Sequence, residues 1–106
     1  MTEPQTRAAR ADAGAAPVTV RIPGPLRDLT GGSEQVVAAA RTVGAALDEV
    51  LLRHPALRRH LRTESGALRE HVNVFRNEQD TRFLDGEATL LEPGDEVTIV
   101  PSIAGG

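Results

Sequence analysis

The residues in this sequence whose types suit chemistry are few: three histidines and a closing pair of glycines. His54 and His60 lie at the end of a helical stretch and just beyond it, where surface histidine is ordinary. His71 opens an alternating stretch. No HExxH or clustered ligand spacing joins them, and the 15 acidic residues read as a solvated surface, so neither a metal site nor independent catalysis is expected. There is no cysteine, which excludes disulfides, thiolate zinc sites and a cysteine nucleophile. Every basic side chain is arginine. No lysine amine is therefore present for a Schiff base or a phosphate-binding loop.

The glycine pair is the more informative group. At average glycine usage of about 7%, two terminal glycines arise by chance in roughly one sequence in 200. The pair gains weight from what precedes it. Glu96-Val-Thr-Ile-Val100 alternates as a strand with Val97 and Ile99 pointing inward, and Pro101, which has no N–H, cannot donate to a sheet ladder. The chain is expected to leave the sheet there. Five further residues, Ser102 to Gly106, span about 17 Å when extended, enough to thread a cleft on another protein. A terminal carboxylate is a poor electrophile and needs activation, most simply adenylation, by an enzyme that encloses it and excludes water. Side chains near the terminus would obstruct such a channel, and glycine has none. Gly106 is thus the candidate reacting residue and Gly105 the residue that lets the tail thread.

Such a tail must be presented by a folded body. Residues 1–17 carry no large apolar side chain after Met1 and are read as a disordered extension. Val18-Thr-Val-Arg-Ile22 alternates as a first strand, ended by Pro23-Gly24-Pro25. Gly31-Gly32 marks a turn leading to a second strand over residues 34–39. Thr42 is placed to cap a helix whose apolar residues Val43, Leu47, Val50 and Leu51 recur at helical spacing. Pro55 ends it at His54, and Leu57 and Leu61 suggest a further short turn. Strands are expected at 71–76, at 81–84 and briefly at 89–91. Pro93-Gly94 then suits a type II turn before the last strand. One amphipathic helix needs one sheet face to cover, giving a two-layer α+β domain over residues 18–101. First and last strands side by side in parallel would make it a β-grasp (ubiquitin-like) fold: a mixed sheet packed on one main helix, with a flexible Gly-Gly tail over 102–106.

At this point the sequence resembles a known family. Pro93-Gly-Asp-Glu-Val-Thr-Ile-Val-Pro-Ser-Ile-Ala-Gly-Gly106 is similar to the C-terminus of MoaD/ThiS-type sulfur carriers. Ile22-Pro-Gly-Pro-Leu-Arg-Asp-Leu-Thr-Gly-Gly32, Val72-Asn-Val-Phe-Arg-Asn77 and Asp80-Thr-Arg-Phe83 are closer to the CysO-type branch. The resemblance runs from about Val18 to Gly106. It implies a protein co-substrate, not an enzyme. An E1-like enzyme would adenylate Gly106 with MgATP, and a sulfur donor would displace AMP to leave a thiocarboxylate. The sulfur would pass to an acceptor. In the CysO-type pathway this is an aminoacrylate on a PLP-dependent cysteine synthase, loaded from O-phosphoserine, and a metal-dependent peptidase releases the product. ATP, PLP and the metal would belong to those partners, and this chain would bind no cofactor. The long N-terminal extension and Phe75-Arg76 depart from familiar members. Molybdopterin, thiamine or secondary-metabolite biosynthesis would use the same carrier chemistry through another synthase, and a protein modifier would share the same activation. A third class is a non-catalytic interaction module in which the glycines are incidental.

Partner contacts are assigned to the residues flanking and forming the tail: Phe75, Arg82, Val100, Ile103 and Ala104. Phe75 alternates with Val72 and Val74 and is therefore expected on the opposite sheet face, as an aromatic docking anchor. The 106 residues fit one small domain, and with Phe75 and Phe83 as the only aromatics its core is expected to consist of Val, Leu, Ile and Ala. A net charge of −3 with scattered arginines argues against a nucleic-acid binder. No secretory h-region or membrane-length apolar run is present, so a cytoplasmic location without membrane association is expected.

Overall fold

The computed structural model describes residues 15–101. Strand β1 covers Ala16–Arg21, β2 Gln35–Ala40, β3 Val72–Arg76, β4 Gln79–Asp80 and β5 Glu96–Pro101; helix α1 covers Val43–Arg53 and the one-turn α2 Arg58–Leu61. The five strands form one sheet in the order β2-β1-β5-β3-β4. β1 runs antiparallel to β2 and parallel to β5, while β5 runs antiparallel to β3. First and last strands thus lie side by side at the centre, as a β-grasp fold requires.

Alternation decides which face is covered. Val18 and Val20 of β1, Val36 and Ala38 of β2, Val72 and Val74 of β3, and Val97 and Ile99 of β5 are all buried. They meet Val43, Ala46, Leu47, Val50 and Leu51 of α1, with Leu57 and Leu61 closing one end. Neither phenylalanine belongs to this core: Phe75 is half-buried and Phe83 is 86% exposed. Among the described residues the hydrophobic core is wholly aliphatic, as the composition predicts. Thr42 caps α1, its Oγ1 accepting the Ala45 N–H at 3.1 Å, and the helix stops at His54 before Pro55.

Four local expectations need adjusting. β1 begins at Ala16, two residues before Val18, and takes in Pro17. Pro17 lies opposite Ala39 of β2, and because Thr19 N–H donates to Asp95 O, the Pro17 nitrogen, two residues earlier, is on the β5 side, at the 93–94 turn. Gly94 N–H donates to the Pro17 carbonyl at 2.9 Å, and the missing proline N–H leaves nothing unpaired. The link from β1 to β2 is longer than a hairpin turn. Gly24–Thr30 forms a 3-10 helix, closed by Gly31 and Gly32 at φ 68° and 91°, angles that favour glycine.

Residues 81–84 are not a strand. Thr81–Phe83 is a 3-10 turn, because Asp80 Oδ1 accepts the Arg82 N–H at 2.9 Å and Leu84 N–H donates to Thr81 O. The buried Thr81 hydroxyl donates to Val74 O at 2.8 Å, fastening the turn to β3. Local side-chain hydrogen bonds of this kind compete with a ladder and win where the partner strand is short. Residues 89–91 contribute a single bridge, Leu90 to Thr42. The Pro93-Gly94 turn is as expected: Gly94 has φ 87° and Asp95 N–H donates to Glu92 O at 3.0 Å.

Candidate functional site

β5, the strand that precedes the candidate tail in sequence, is held along both edges. Thr19 to Arg21 flank it in parallel register with Glu96 to Thr98, and Val72 to Arg76 flank it on the other side. Its last residue, Pro101, is opposite Val72, the first residue of β3. The N-terminal end of β5 is pinned by Asp95. Asp95 Oδ2 accepts Arg76 Nε at 2.9 Å and the Glu92 N–H at 2.8 Å, and Oδ1 accepts Asn77 Nδ2 at 3.2 Å. Burial pushes the Asp95 carboxyl up, but these donors and the Arg76 charge outweigh it, and the net shift is below the ordinary aspartate value. Asn77, at φ 54°, completes the clasp by accepting the Glu96 N–H at 2.9 Å.

The sequence-predicted contact residues divide between two faces. Phe75 sits opposite Thr98 on one side and Asp80 on the other, and Val100 sits opposite Asn73. Both therefore lie on the sheet face away from α1, as alternation predicts, with Val100 39% exposed and Phe75 half-buried. Arg82 is exposed but lines a groove beside Val72 and Val74, toward the other face. The structure thus joins Phe75 with Val100 on one surface and places Arg82 around the sheet edge. Ile103, Ala104, Gly105 and Gly106 lie outside the described residues, as does residues 1–14 of the N-terminal extension.

Sequence reasoning missed two features. Phe83, held out at the rim of the Thr81–Phe83 turn, is far more exposed than Phe75. The signal was available in Asp80 two residues before Arg82, a spacing suited to capping a turn. The second feature is Arg62, only 6% exposed. Its guanidinium donates to both Glu87 oxygens at 3.0 and 2.8 Å, to Asp48 Oδ1 at 3.0 Å and to Gly66 O at 3.0 Å. Hydrogen bonding to Glu87 raises its pKa above the ordinary arginine value, against the opposing effect of burial. Arg62 ties α1, the 86–88 turn and the 63–66 loop together, and its partners lie too far off in sequence to be read there.

His54, His60 and His71 do not converge, and among the described residues no group of three His, Cys, Asp or Glu is placed to hold a metal ion. No helix among the described residues is long and apolar enough to cross a membrane.

A central last strand between a parallel and an antiparallel neighbour, under one helix, defines a β-grasp domain, and comparison with known proteins agrees. The ThiS family model matches residues 20–106, and the chain belongs to that family. It is a carrier of the ThiS/MoaD type, not an enzyme. Among individual proteins, the sulfur carrier protein CysO of Mycobacterium tuberculosis is 41% identical over 91 residues, 84% of this chain and 98% of CysO. A chain of the Amycolatopsis orientalis BexX/CysO complex superposes with a TM-score of 0.76 at 40% identity, covering 84% of this chain and 99% of that one. Small archaeal modifier protein 1 of Haloferax volcanii is 42% identical over 65 residues, 61% of this chain and 70% of the modifier.

Proposed function

We propose that this protein carries sulfur as a thiocarboxylate on Gly106 and delivers it to a biosynthetic enzyme. The observation that supports this reading best is the placement of β5. It is clamped along both edges, ends at Pro101, and leads directly into five residues that close on Gly-Gly. The family match runs through that same segment to residue 106.

The chemistry balances without any side chain of the carrier. An E1-like enzyme, using MgATP, would join the Gly106 carboxylate to the α-phosphate, and pyrophosphate would leave. A sulfur donor then attacks the acyl carbon, AMP departs with its bonding pair, and the terminus keeps one oxygen and one sulfur. The absence of cysteine fits a carrier whose sulfur rides on the backbone terminus. Gly105 serves to pass the tail through the enzyme's channel, with Ile103 and Ala104 contacting its walls. Phe75 and Val100, on one sheet face, form the docking surface next to the tail, and Arg82 touches the partner at the sheet edge.

The acceptor favoured by the similarity to CysO is a PLP-dependent cysteine synthase. A metal-dependent peptidase would follow, and both cofactors would stay with those enzymes. Molybdopterin, thiamine or specialised pathways are alternative destinations for the same sulfur, in a cytoplasmic setting. Similarity to a small archaeal modifier protein favours a second reading, attachment of Gly106 to lysines of other proteins.

Intact mass spectrometry after incubation with an E1-like enzyme, MgATP and sulfide tests the first reading. One oxygen should be replaced by sulfur at Gly106, and a chain lacking Gly105-Gly106 should fold normally yet stay unmodified. Modification of the truncated chain would refute the terminal mechanism. Stable amide-linked adducts on other proteins, with no sulfur-releasing product, would establish the modifier reading instead.

A further inference from the structure

An open groove of about 630 Å³ lies against α2, lined by Pro55, Arg58, Arg59, Thr63, Glu64 and Arg69. Arg62 also borders it, but its charge is already matched by Glu87 and Asp48. Arg58, Arg59 and Arg69 form no ion pair with any described residue. Three arginine charges therefore face one carboxylate, Glu64, in a chain whose net charge is −3. The groove is also built to a fixed shape. Arg69 Nε donates to the Arg59 carbonyl at 2.7 Å, Arg69 N–H donates to Leu61 O at 2.9 Å, and Arg62 holds the 63–66 loop through Gly66 O.

Its position links it to the tail. Val72 N–H donates to Arg69 O, and Val72 is the residue opposite Pro101, where β5 ends. An enzyme that encloses residues 102–106 meets this rim of the fold next. We propose that the arginine groove receives an acidic segment of the activating enzyme, a stretch of several Asp or Glu side chains, and steers the tail into the active site. The proposal rests on the carrier reading for the partner's identity. Extended acidic peptide is the ligand that fits. Arg58 and Arg59 are exposed on α2 and Arg69 lies on the segment hydrogen-bonded to it, so three cationic side chains line one groove, and a run of carboxylates on one peptide can pair with more of them than a single small anion can.

The test is a nuclear magnetic resonance titration of the full chain with a hexaglutamate peptide, with hexaglutamine and inorganic phosphate as controls. The Nε–H signals of Arg58, Arg59 and Arg69 should shift saturably with hexaglutamate alone. The shift should weaken as salt rises, and binding should fall about tenfold or more in the R58E/R59E variant. That variant changes two exposed side chains and leaves the Arg59 carbonyl bond to Arg69 intact; R58Q/R59Q is the milder second variant. No saturable shift, an equal response to phosphate, or full binding by both variants would overturn the proposal. Loading kinetics with the E1-like enzyme then separate the two readings. A wild-type chain that loads, with R58E/R59E showing raised KM and unchanged kcat, supports the partner assignment, and an unchanged KM refutes it. A wild-type chain that binds hexaglutamate but never loads refutes the carrier reading instead.

Discussion

Replacing Arg62 by methionine removes four hydrogen bonds donated by its guanidinium, three of them to carboxylates, while keeping most of the apolar stem. Hydrogen bonds to charged groups contribute about 1.5–3 kcal/mol each, and breaking a buried ion pair costs about 3–5 kcal/mol when the remaining charge cannot reach water. Here it can. Glu87 and Asp48 side chains are 38% and 67% exposed, so both carboxylates rehydrate and solvent screening reduces the loss. The Gly66 carbonyl must also find water. A destabilisation of about 2–3 kcal/mol follows, equivalent to a fall in Tm on the order of 10 °C for a domain of this size. Urea unfolding of R62M, E87Q and the double variant measures it, with a coupling between positions 62 and 87 above about 1 kcal/mol expected from the cycle. An R62M chain within about 0.5 kcal/mol of wild type, a value typical of ordinary surface positions, would refute the assignment of Arg62 as the tie between α1 and the 86–88 turn.

Other perturbations test separate parts of the structure. A Cβ on Gly44 would lie 2.9 Å from Glu87 Oε1, 3.0 Å from its Cβ and 3.2 Å from its carbonyl. Despite a helix-propensity gain of up to about 1 kcal/mol, Gly44→Ala should therefore lower stability by about 1–2 kcal/mol in the same unfolding assay. Asp95, with its pKa lowered in the fold, contributes stability that is present above the unfolded aspartate value near 3.8 and lost as pH falls through the folded value. Unfolding free energy should thus decline below about pH 4, and Asp95→Asn should be less stable at neutral pH with a shallower acid slope. Phe75→Ala should raise the KM for activation by several fold, as loss of a docking anchor does, with the circular dichroism spectrum unchanged; wild-type kinetics would remove Phe75 from the docking surface.

Much of this protein is legible along the chain because the signals are local. Val18, Val20, Val72, Val74, Val97 and Ile99 alternate with polar residues, and a two-residue period leaves one way to cover a single sheet face. Thr42, through its side-chain hydroxyl, and Pro55, through its ring, delimit α1 within a few residues of each end, and Pro93-Gly94 fixes its turn equally locally. Sequence likewise determined that positions 105 and 106 bear no side chain and that the sequence holds no thiol. Tertiary structure decided what depends on distant partners. The parallel pairing of β1 with β5 joins residues 77 positions apart, and only that pairing places Pro101 at the end of a central strand. The burial of Arg62 needs Asp48, 14 residues earlier, and Glu87, 25 residues later. An arginine is an ordinary surface residue until the fold brings carboxylates to it. The same holds for the closing glycines: their chemistry belongs to the sequence, while the clamped strand that carries them belongs to the fold.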